Sequence, residues 1–187
     1  MLLVAAADLA RAGTAPKWSD DQLIGFSDVI LTGRVADITS GWDTSVNTIY
    51  TYVHVDVDEV LRGSLGSGRV IIKQMGGVAG GIGLAVAVQP TFATGEDVLL
   101  FLEARPRDGT LYTSALWQGK WTIQADGGAR VAVQTGPEGV SIDRRDLRAM
   151  SAAVHAAASA GRRTSFVQAT PADARGAEPF VLIGNPP

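Results

Sequence analysis

Residues 48–63 carry the longest alternating pattern in the chain, and this pattern limits the folds that the chain can adopt. The odd positions from 49 to 57 are β-branched, whereas the even positions from 50 to 58 are polar or aromatic. Side chains on a strand point alternately to opposite faces, so the pattern predicts one long, half-buried β-strand. The alternation slips at Asp58-Glu59, which predicts a β-bulge or a strand end at that point.

Further segments have the composition of short strands, and glycines mark several of their corners. Gly33 lies inside the first segment, where a glycine usually marks a bulge or a sharp bend. Short strands at this spacing favour a small Greek-key barrel or sandwich. The predicted strands are Asp28–Ile38, Arg69–Met75, Asp97–Glu103, Thr110–Gln118, Lys120–Gln124 and Ala129–Gln134.

Two peripheral helices are predicted. Ser19 and Gln22 have the spacing of a capping box, which predicts a short helix over residues 19–27. Asp143 opens a second predicted helix that ends at about Ala160. The apolar face of this second helix consists of Leu147, Met150, Val154 and Ala157.

Composition excludes several classes of site. The chain has 187 residues, a net charge of −3 and a pI of about 5.3, which argues against a nucleic-acid partner because such proteins present a basic face. It has no cysteine, so disulfides, thiolate zinc sites and cysteine nucleophiles are excluded. No stretch approaches the roughly 20 apolar residues of a membrane span.

Residues 1–18 are interpreted as an N-terminal extension or a truncated export signal. Leu2–Ala7 is a short apolar run, and Ala10-Arg11-Ala12 has the small-x-small form of a signal-peptidase site. No basic residue precedes the run, however, and Asp8 interrupts it.

Three segments together resemble netrin-like domains, the fold of the tissue inhibitors of metalloproteinases. Asp28–Val35 is similar to the first strand of that family, and Val57–Gly63 is similar to the end of its valine-rich strand. Phe92–Leu102 resembles its later strand, which begins at a Gly-Glu pair. Residues 116–121 and the glycine-rich loop resemble a cysteine-free bacterial branch of exported proteins, some of which continue into a matrixin-type zinc metallopeptidase.

The resemblance covers roughly residues 20–134 and implies a five-stranded OB-type barrel. The animal inhibitors chelate the protease zinc through an N-terminal cysteine, and this mechanism cannot apply to a chain without cysteine. A peptidase domain is not expected either, because the residues around His155 lack the acidic residue of a zinc-helix motif.

Aromatic and histidine side chains form the candidate surface for a ligand or partner. On an OB-type barrel, exposed rings can stack on bases or sugars, whereas buried rings would seal the barrel. The candidate residues are Trp42, Tyr50, Tyr52, His54, Trp117 and Trp121.

Two other patterns suggest chemistry but have simpler explanations. His54, Asp56 and Asp58 share one face of the long strand, where they could hold a metal but are more typical of a solvated strand face. Residues 76–83 contain five glycines but lack the Lys-Ser/Thr and the following helix of a phosphate-binding loop, so a tight irregular loop or close backbone packing is predicted.

The chain is therefore predicted to be mainly β, with a five-stranded OB-like Greek-key barrel over residues 19–135. A helix packed on the barrel is predicted for residues 136–163, and a linker with an apolar tail for residues 164–187. The tail contains Phe180–Ile183 and is predicted to pair with a barrel edge, because an exposed segment of this kind would promote aggregation.

No nucleophile–base pair or metal cluster is recognisable, so no enzymatic activity, catalytic residue, metal or cofactor is predicted. The predicted function is an exported, extracytoplasmic binding or accessory module with a protein partner, and the resemblance implies a metallopeptidase as one such partner. The alternative is an OB-type module that binds oligosaccharides or single strands through exposed aromatics. The sequence leaves the oligomeric state open.

Overall fold

The computed structural model describes residues 16–105, 110–160 and 178–179. In this part, the chain forms mainly β-strands, with two α-helices, α1 (Asp20–Phe26) and α2 (Leu147–Ala160). The strands are β1 (Val29–Asp43), β2 (Thr48–Arg62), β3 (Arg69–Met75), β4 (Gly77–Ala79), β5 (Ile82–Leu84), β6 (Asp97–Arg105), β7 (Thr110–Thr113), β8 (Lys120–Asp126), β9 (Ala129–Thr135), β10 (Ser141–Asp146) and β11 (Glu178–Pro179).

The long alternating segment forms β2 as predicted, and it pairs antiparallel with β1 and β3. The register between β1 and β2 skips Asp58, opposite the step from Thr32 to Gly33, so the predicted bulge is confirmed. Gly33 is required at this bulge because a Cβ there would collide with the Asp56 carbonyl oxygen of β2.

Most of the strands belong to one large mixed sheet. Its order is β10-β9-β8-β6-β7-β3-β2-β1-β11, and β6 also pairs with β1. The neighbouring strands are antiparallel except β3 and β7, which share a parallel pairing of Ile72 with Leu111. The prediction of a mainly β fold with two peripheral helices is confirmed.

Apolar side chains form two separate clusters on opposite faces of the sheet. β6 contributes to both, because Val98, Leu100 and Leu102 point one way and Leu99 and Phe101 point the other. The first cluster, here called the inner core, contains Val29, Leu31, Val35, Ile38, Val53, Val55, Val70, Ile72, Phe92, Val98, Leu100, Leu102 and Leu111. The second, here called the helix-covered core, contains Leu23, Ile24, Ile30, Leu61, Leu99, Phe101, Trp121, Ile123, Ala132, Leu147, Met150 and Val154.

Helix α1 begins with the predicted capping box. The Gln22 backbone N–H donates to Ser19 Oγ at 3.2 Å, and the Ser19 N–H donates to Gln22 Oε1 at 2.9 Å. These bonds satisfy backbone groups that the first helical turn leaves without partners. Leu23 and Ile24 are thereby held in the helix-covered core.

The second helix begins later than predicted. Residues 141–146 form β10, which pairs with β9, so the prediction that the helix opens at Asp143 is wrong. Asp146 caps the helix instead, since its Oδ1 accepts the Ala149 N–H at 2.8 Å. The predicted apolar face of α2 is correct, because Leu147, Met150 and Val154 are buried in the helix-covered core.

Two predictions for the middle of the chain are also corrected. The strand predicted over Thr110–Gln118 ends at Thr113, because Ala115 and Leu116 adopt positive φ angles of 51° and 61° and a 3-10 turn follows. The predicted irregular loop over residues 76–83 is a two-stranded hairpin formed by β4 and β5.

Several predictions fall at the ends of the chain. Glu178 and Pro179 pair antiparallel with Ser40 and Thr39, which is the kind of edge pairing predicted for the tail. Residues 1–15, and with them most of the predicted export signal, lie outside the described residues, as do residues 161–177 and 180–187. None of the described helices is long and apolar enough to span a membrane.

Candidate functional site

An apolar groove lies between the inner face of the β1–β2 pair and the hairpin formed by β4 and β5. Its volume is about 540 Å³, within the range of about 300–1,000 Å³ that is typical of ligand sites. The residues that line it are Ile38, Thr51, Val53, Gln74, Met75, Gly76, Gly77, Val78, Gly83, Leu84, Ala85, Val86, Gln89, Pro90, Thr91 and Phe92.

The floor of the groove belongs to the inner core. Ile38 and Val53 are directly opposite each other in β1 and β2, and both also pack in the inner core with Phe92. Residues opposite each other in a sheet share a face, so the groove is the open end of this core. A ligand in the groove would therefore contact the packed interior of the protein.

The roof is the hairpin of β4 and β5. Gly80 and Gly81 have φ angles of 56° and 77°, as a tight hairpin turn with two left-handed residues requires. The hairpin and its approach leave large apolar side chains in contact with solvent: Met75 is 43%, Val78 43%, Ile82 56% and Leu84 37% exposed. Exposed apolar residues that cluster beside a groove are typical of an interaction surface.

The base of the hairpin is fixed to β1 and β2. Thr51 Oγ1 donates to the Gly76 carbonyl at 2.7 Å and lies 3.0 Å from Ser40 Oγ. Gly77 has a φ of 129°, and a Cβ there would collide with Ser40 Oγ and lie 2.5 Å from Thr51 Oγ1. Glycine is therefore required at position 77 for the roof to approach the sheet this closely.

One polar group in the groove has no partner among the described residues. Gln74 donates from Nε2 to the Pro90 carbonyl at 3.2 Å, while its Oε1 is buried without a hydrogen bond. An unsatisfied buried acceptor costs about 1–3 kcal/mol. The bond to Pro90 therefore ties β3 to the groove wall, and the buried Oε1 is left unsatisfied behind the groove surface.

A buried ion pair holds the wall that carries Phe92. Lys120 Nζ donates to Glu96 Oε1 at 2.5 Å and to the Thr91 carbonyl at 2.7 Å. Glu96 Oε2 also accepts the Ala93 N–H at 3.1 Å. Burial lowers the pKa of Lys120, and the attraction of Glu96 opposes that shift. The pair fixes residues 91–96 against β8 and so sets the position of the groove wall.

The structure does not bring the six predicted surface residues together. Tyr52 is completely buried and Trp121 is 2% exposed. A ring without exposed surface offers no face for stacking, so these two side chains contribute to packing. Trp121 lies in the helix-covered core, with the Arg145 guanidinium 5.1 Å from its ring centroid.

The other four lie at three separate places. Trp42 is 41% exposed and, by alternation along β1, lies on the same sheet face as Ile38 and the groove. Tyr50 and His54 are half-buried on the opposite face of β2. Trp117 is half-buried beside a separate cavity of about 300 Å³.

The outer face around Tyr50 carries charge as well as aromatic rings. Lys73 Nζ lies 4.1 Å from the Tyr50 ring centroid and 3.5 Å from Asp43 Oδ2. The hydrogen bond from Ser45 is the largest cause of the lowered pKa of Asp43. Cation–π and ion-pair contacts of this kind hold the Lys73 ammonium against this face of the sheet.

The side chains suggested as metal ligands on β2 make other interactions in the structure. Asp56 Oδ1 accepts from Arg69 Nε at 2.6 Å. Burial lowers the pKa of His54, which disfavours its charged form. Within the described residues, no three His, Cys, Asp or Glu side chains lie close enough to hold a metal ion.

The groove residues were missed because they come from distant segments. Ile38 and Val53 were assigned to two separate predicted strands, and Phe92 to the segment that leads into a third. The roof had a recognisable signal: two glycines flanked by apolar residues are typical of a hairpin turn.

No protein-family model matches the chain, and comparison with curated proteins finds no match.

Proposed function

We propose that this protein is a non-catalytic binding module that holds an extended apolar segment of a partner protein in the groove under the β4–β5 hairpin. The observation that carries the proposal is the groove itself, an open end of the inner core, beside which the roof exposes Val78 and Leu84 and the end of β3 exposes Met75. These side chains are costly to leave in water, and an apolar partner would cover them.

A partner of peptide character is favoured by the strand edge beside the groove. β1 pairs with β6 only over Val29–Arg34, and the Val35 backbone bonds to Gly95 and Glu96. Beyond Val35, β1 pairs with a short strand instead, since Thr39 and Ser40 pair antiparallel with β11. Extended peptides bind in this way, because backbone hydrogen bonds supply affinity and adjacent pockets select side chains.

Selection from a displayed random peptide library, with matched glycine variants, tests the proposal. A side chain at Gly83 would lie beside Val78 at the groove, since an ideal Cβ there meets only Val78 Cγ2, at 3.9 Å. Gly83→Phe should therefore fill the groove and abolish binding of the enriched apolar peptides. Gly68→Phe is the control, because a Cβ at this exposed position meets nothing within 4 Å.

Equal peptide binding by the Gly83→Phe and Gly68→Phe proteins would overturn the assignment of the site. Failure to enrich any peptide would overturn the peptide-binding function. Turnover of a peptide, ester or glycoside substrate by the purified protein, abolished by a point substitution, would contradict the non-catalytic part of the proposal.

The resemblance to netrin-like domains adds two parts to the proposal. An OB-type barrel of β1, β2, β3, β7 and β6 is supported by the pairings that lead from β1 through these strands and back to β1. An exported module with a peptidase partner is the corresponding cellular role. Mass spectrometry of the mature N-terminus in fractionated cells tests export, and a start near Gly13 is expected.

The alternative function, stacking of sugars or bases on exposed aromatics, has less support. Tyr52 and Trp121 have no exposed ring face, and Trp42 lies across the sheet from Tyr50. Titration of tryptophan fluorescence with glycans and oligonucleotides tests this alternative, because a ligand that stacks on the exposed Trp42 ring would change its emission.

A further inference from the structure

The pairing of β11 with β1 lies next to Ile38, which lines the groove. Ser40 pairs with Glu178 and Thr39 pairs with Pro179, antiparallel. Continued by one residue, this register places position 180 opposite Ile38. Ile38 lines the groove and lies opposite Val53, which also lines it. Because residues opposite each other share a sheet face, a residue that continued this pairing beyond Pro179 would fall on the groove face.

The residue at position 180 suits that place. It is Phe180, the first of the apolar residues Phe180–Ile183. We propose that Phe180 inserts into the groove, so that the chain supplies its own apolar segment as an occupant and a partner segment must displace it. This inference rests on the proposed function, since it assigns the same groove a regulated, self-occupied state.

The geometry of β1 limits how far such an occupant can follow the strand. The Val35 N–H donates to the Glu96 carbonyl and the Val35 carbonyl accepts from Gly95, so the edge is already used from this residue onwards. The part of the β1 edge that can pair with another strand therefore ends just beyond Ile38. Phe180 is thus the principal anchor, and Val181 would fall on the opposite face, opposite Asp37.

Tethering makes an intramolecular occupant effective even when its contacts are few. A segment covalently joined to its own site has an effective concentration on the order of 1 mM. A free peptide with the same sequence would have to compete with that concentration. The full-length chain should consequently bind such a peptide more weakly than a chain whose Phe180 cannot enter the groove.

The alternation of faces supplies a matched pair of variants. Phe180→Asp places a charge in the groove, whereas Val181→Asp places the same charge on the opposite face. The probe is a fluorescein-labelled synthetic peptide with the sequence of residues 177–185, titrated into the full-length proteins. We expect the Phe180→Asp protein to bind the peptide about tenfold more tightly than the wild type or the Val181→Asp protein does.

A second measurement detects self-occupancy without any partner. In the wild-type chain, nuclear Overhauser effects should connect the Phe180 ring to the methyl groups of Ile38 and Val53. They should persist in the Val181→Asp protein and disappear in the Gly83→Phe protein, whose added ring fills the groove.

The outcomes separate this inference from the function on which it rests. Absence of these Overhauser effects in the wild type, with equal peptide affinity in the wild-type and Phe180→Asp proteins, would overturn self-occupancy. The proposed function would survive that result if library-selected peptides still bound in the groove. The opposite result is also possible to recognise. If the wild type shows the Overhauser effects from Phe180 but the Phe180→Asp protein binds no selected peptide, self-occupancy is upheld and the proposed function is overturned.

Discussion

The two faces of the sheet are covered in different ways, and the difference explains where a binding site can form. On one face, α1 and α2 close the helix-covered core, and a space among Leu23, Phe101, Trp121 and Met150 has a volume of about 30 Å³. On the other face, the end of the inner core is covered by the β4–β5 hairpin, and the groove has a volume of about 540 Å³.

The coverings differ because of the side chains that each can supply. The α2 helix presents Leu147, Met150 and Val154 on one face, and these bulky residues fill the space above the sheet. The hairpin approaches the sheet through Gly76 and Gly77, which have no side chains to fill the space below it. The two glycines therefore let the base of the hairpin approach the sheet closely, and they leave an open groove beside it.

The largest expected effect comes from truncating a side chain in the closed core. Phe101 is 3% exposed, and Phe101→Ala should lower the free energy of unfolding by about 4 kcal/mol, because a large buried ring leaves a cavity. Val78 in the roof is 43% exposed, so Val78→Ala should change it by less than about 0.5 kcal/mol. Urea denaturation measures both, and equal losses would contradict the contrast between the two faces.

The ion pair behind the groove wall should have the next largest effect. Glu96→Ala leaves the Lys120 ammonium buried and still bonded to the Thr91 carbonyl, but without its carboxylate partner. Removing one partner of a buried pair should lower the free energy of unfolding by about 3 kcal/mol.

A double-mutant cycle provides the control for the Glu96 variant. The double variant Glu96→Ala/Lys120→Met removes both charges and should recover much of the loss, because no unpaired charge stays buried. If the double variant is as unstable as the sum of the two single variants, the two side chains are not coupled and the ion pair does not fix the wall.

A smaller effect is expected at the base of the roof. Gly77→Ala combines a strained φ with a collision at Ser40 and Thr51, so it should lower the free energy of unfolding by about 2 kcal/mol. Gly80→Ala at the turn also has a positive φ, but its Cβ meets nothing within 4 Å, so about 1 kcal/mol is expected. If thermal and urea denaturation place the two variants in the opposite order, the hairpin is not anchored at Gly77.

The sequence predicted those elements whose signals are local. The alternation in β2 depends on neighbouring residues, and the capping box of α1 depends on Ser19 and Gln22 alone. The bulge at Asp58 was also visible, because a one-residue slip moves the following side chains to the other face. Such features can be predicted because the information lies within a few residues.

Features that depend on distant segments could not be predicted in the same way. Alternation placed Tyr50 and Tyr52 on one face of β2, but it could not show that Tyr52 is completely buried while Tyr50 is not. The groove requires Ile38, Val53 and Phe92 to meet, and no local pattern connects these positions. The charged residues of β10 were misread because Asp143 and Asp146 are both plausible helix caps, and only the pairing with β9 distinguishes them.

The smallest expected effect concerns pH on the outer face of β2, across the sheet from the groove. Burial lowers the pKa of His54, Asp37 opposes this shift and Arg69 adds to it. As the pH falls below the ordinary histidine pKa of about 6.5, the unfolded chain takes up a proton before the folded chain does. The free energy of unfolding should therefore fall with the pH until His54 is also protonated in the folded state, where the loss is complete.

The variant His54→Gln removes this contribution, and His155→Gln, at the other histidine in the chain, is its control. Urea denaturation at about pH 7.5 and about pH 5.5 brackets the ordinary histidine pKa of about 6.5. The wild-type and His155→Gln proteins should lose more stability over this interval than the His54→Gln protein, by a margin smaller than any loss predicted above because His54 is only half-buried. If His54→Gln instead increases the loss at low pH, His54 is stabilised in its charged form by Asp37, and the attraction of that carboxylate exceeds the effect of burial.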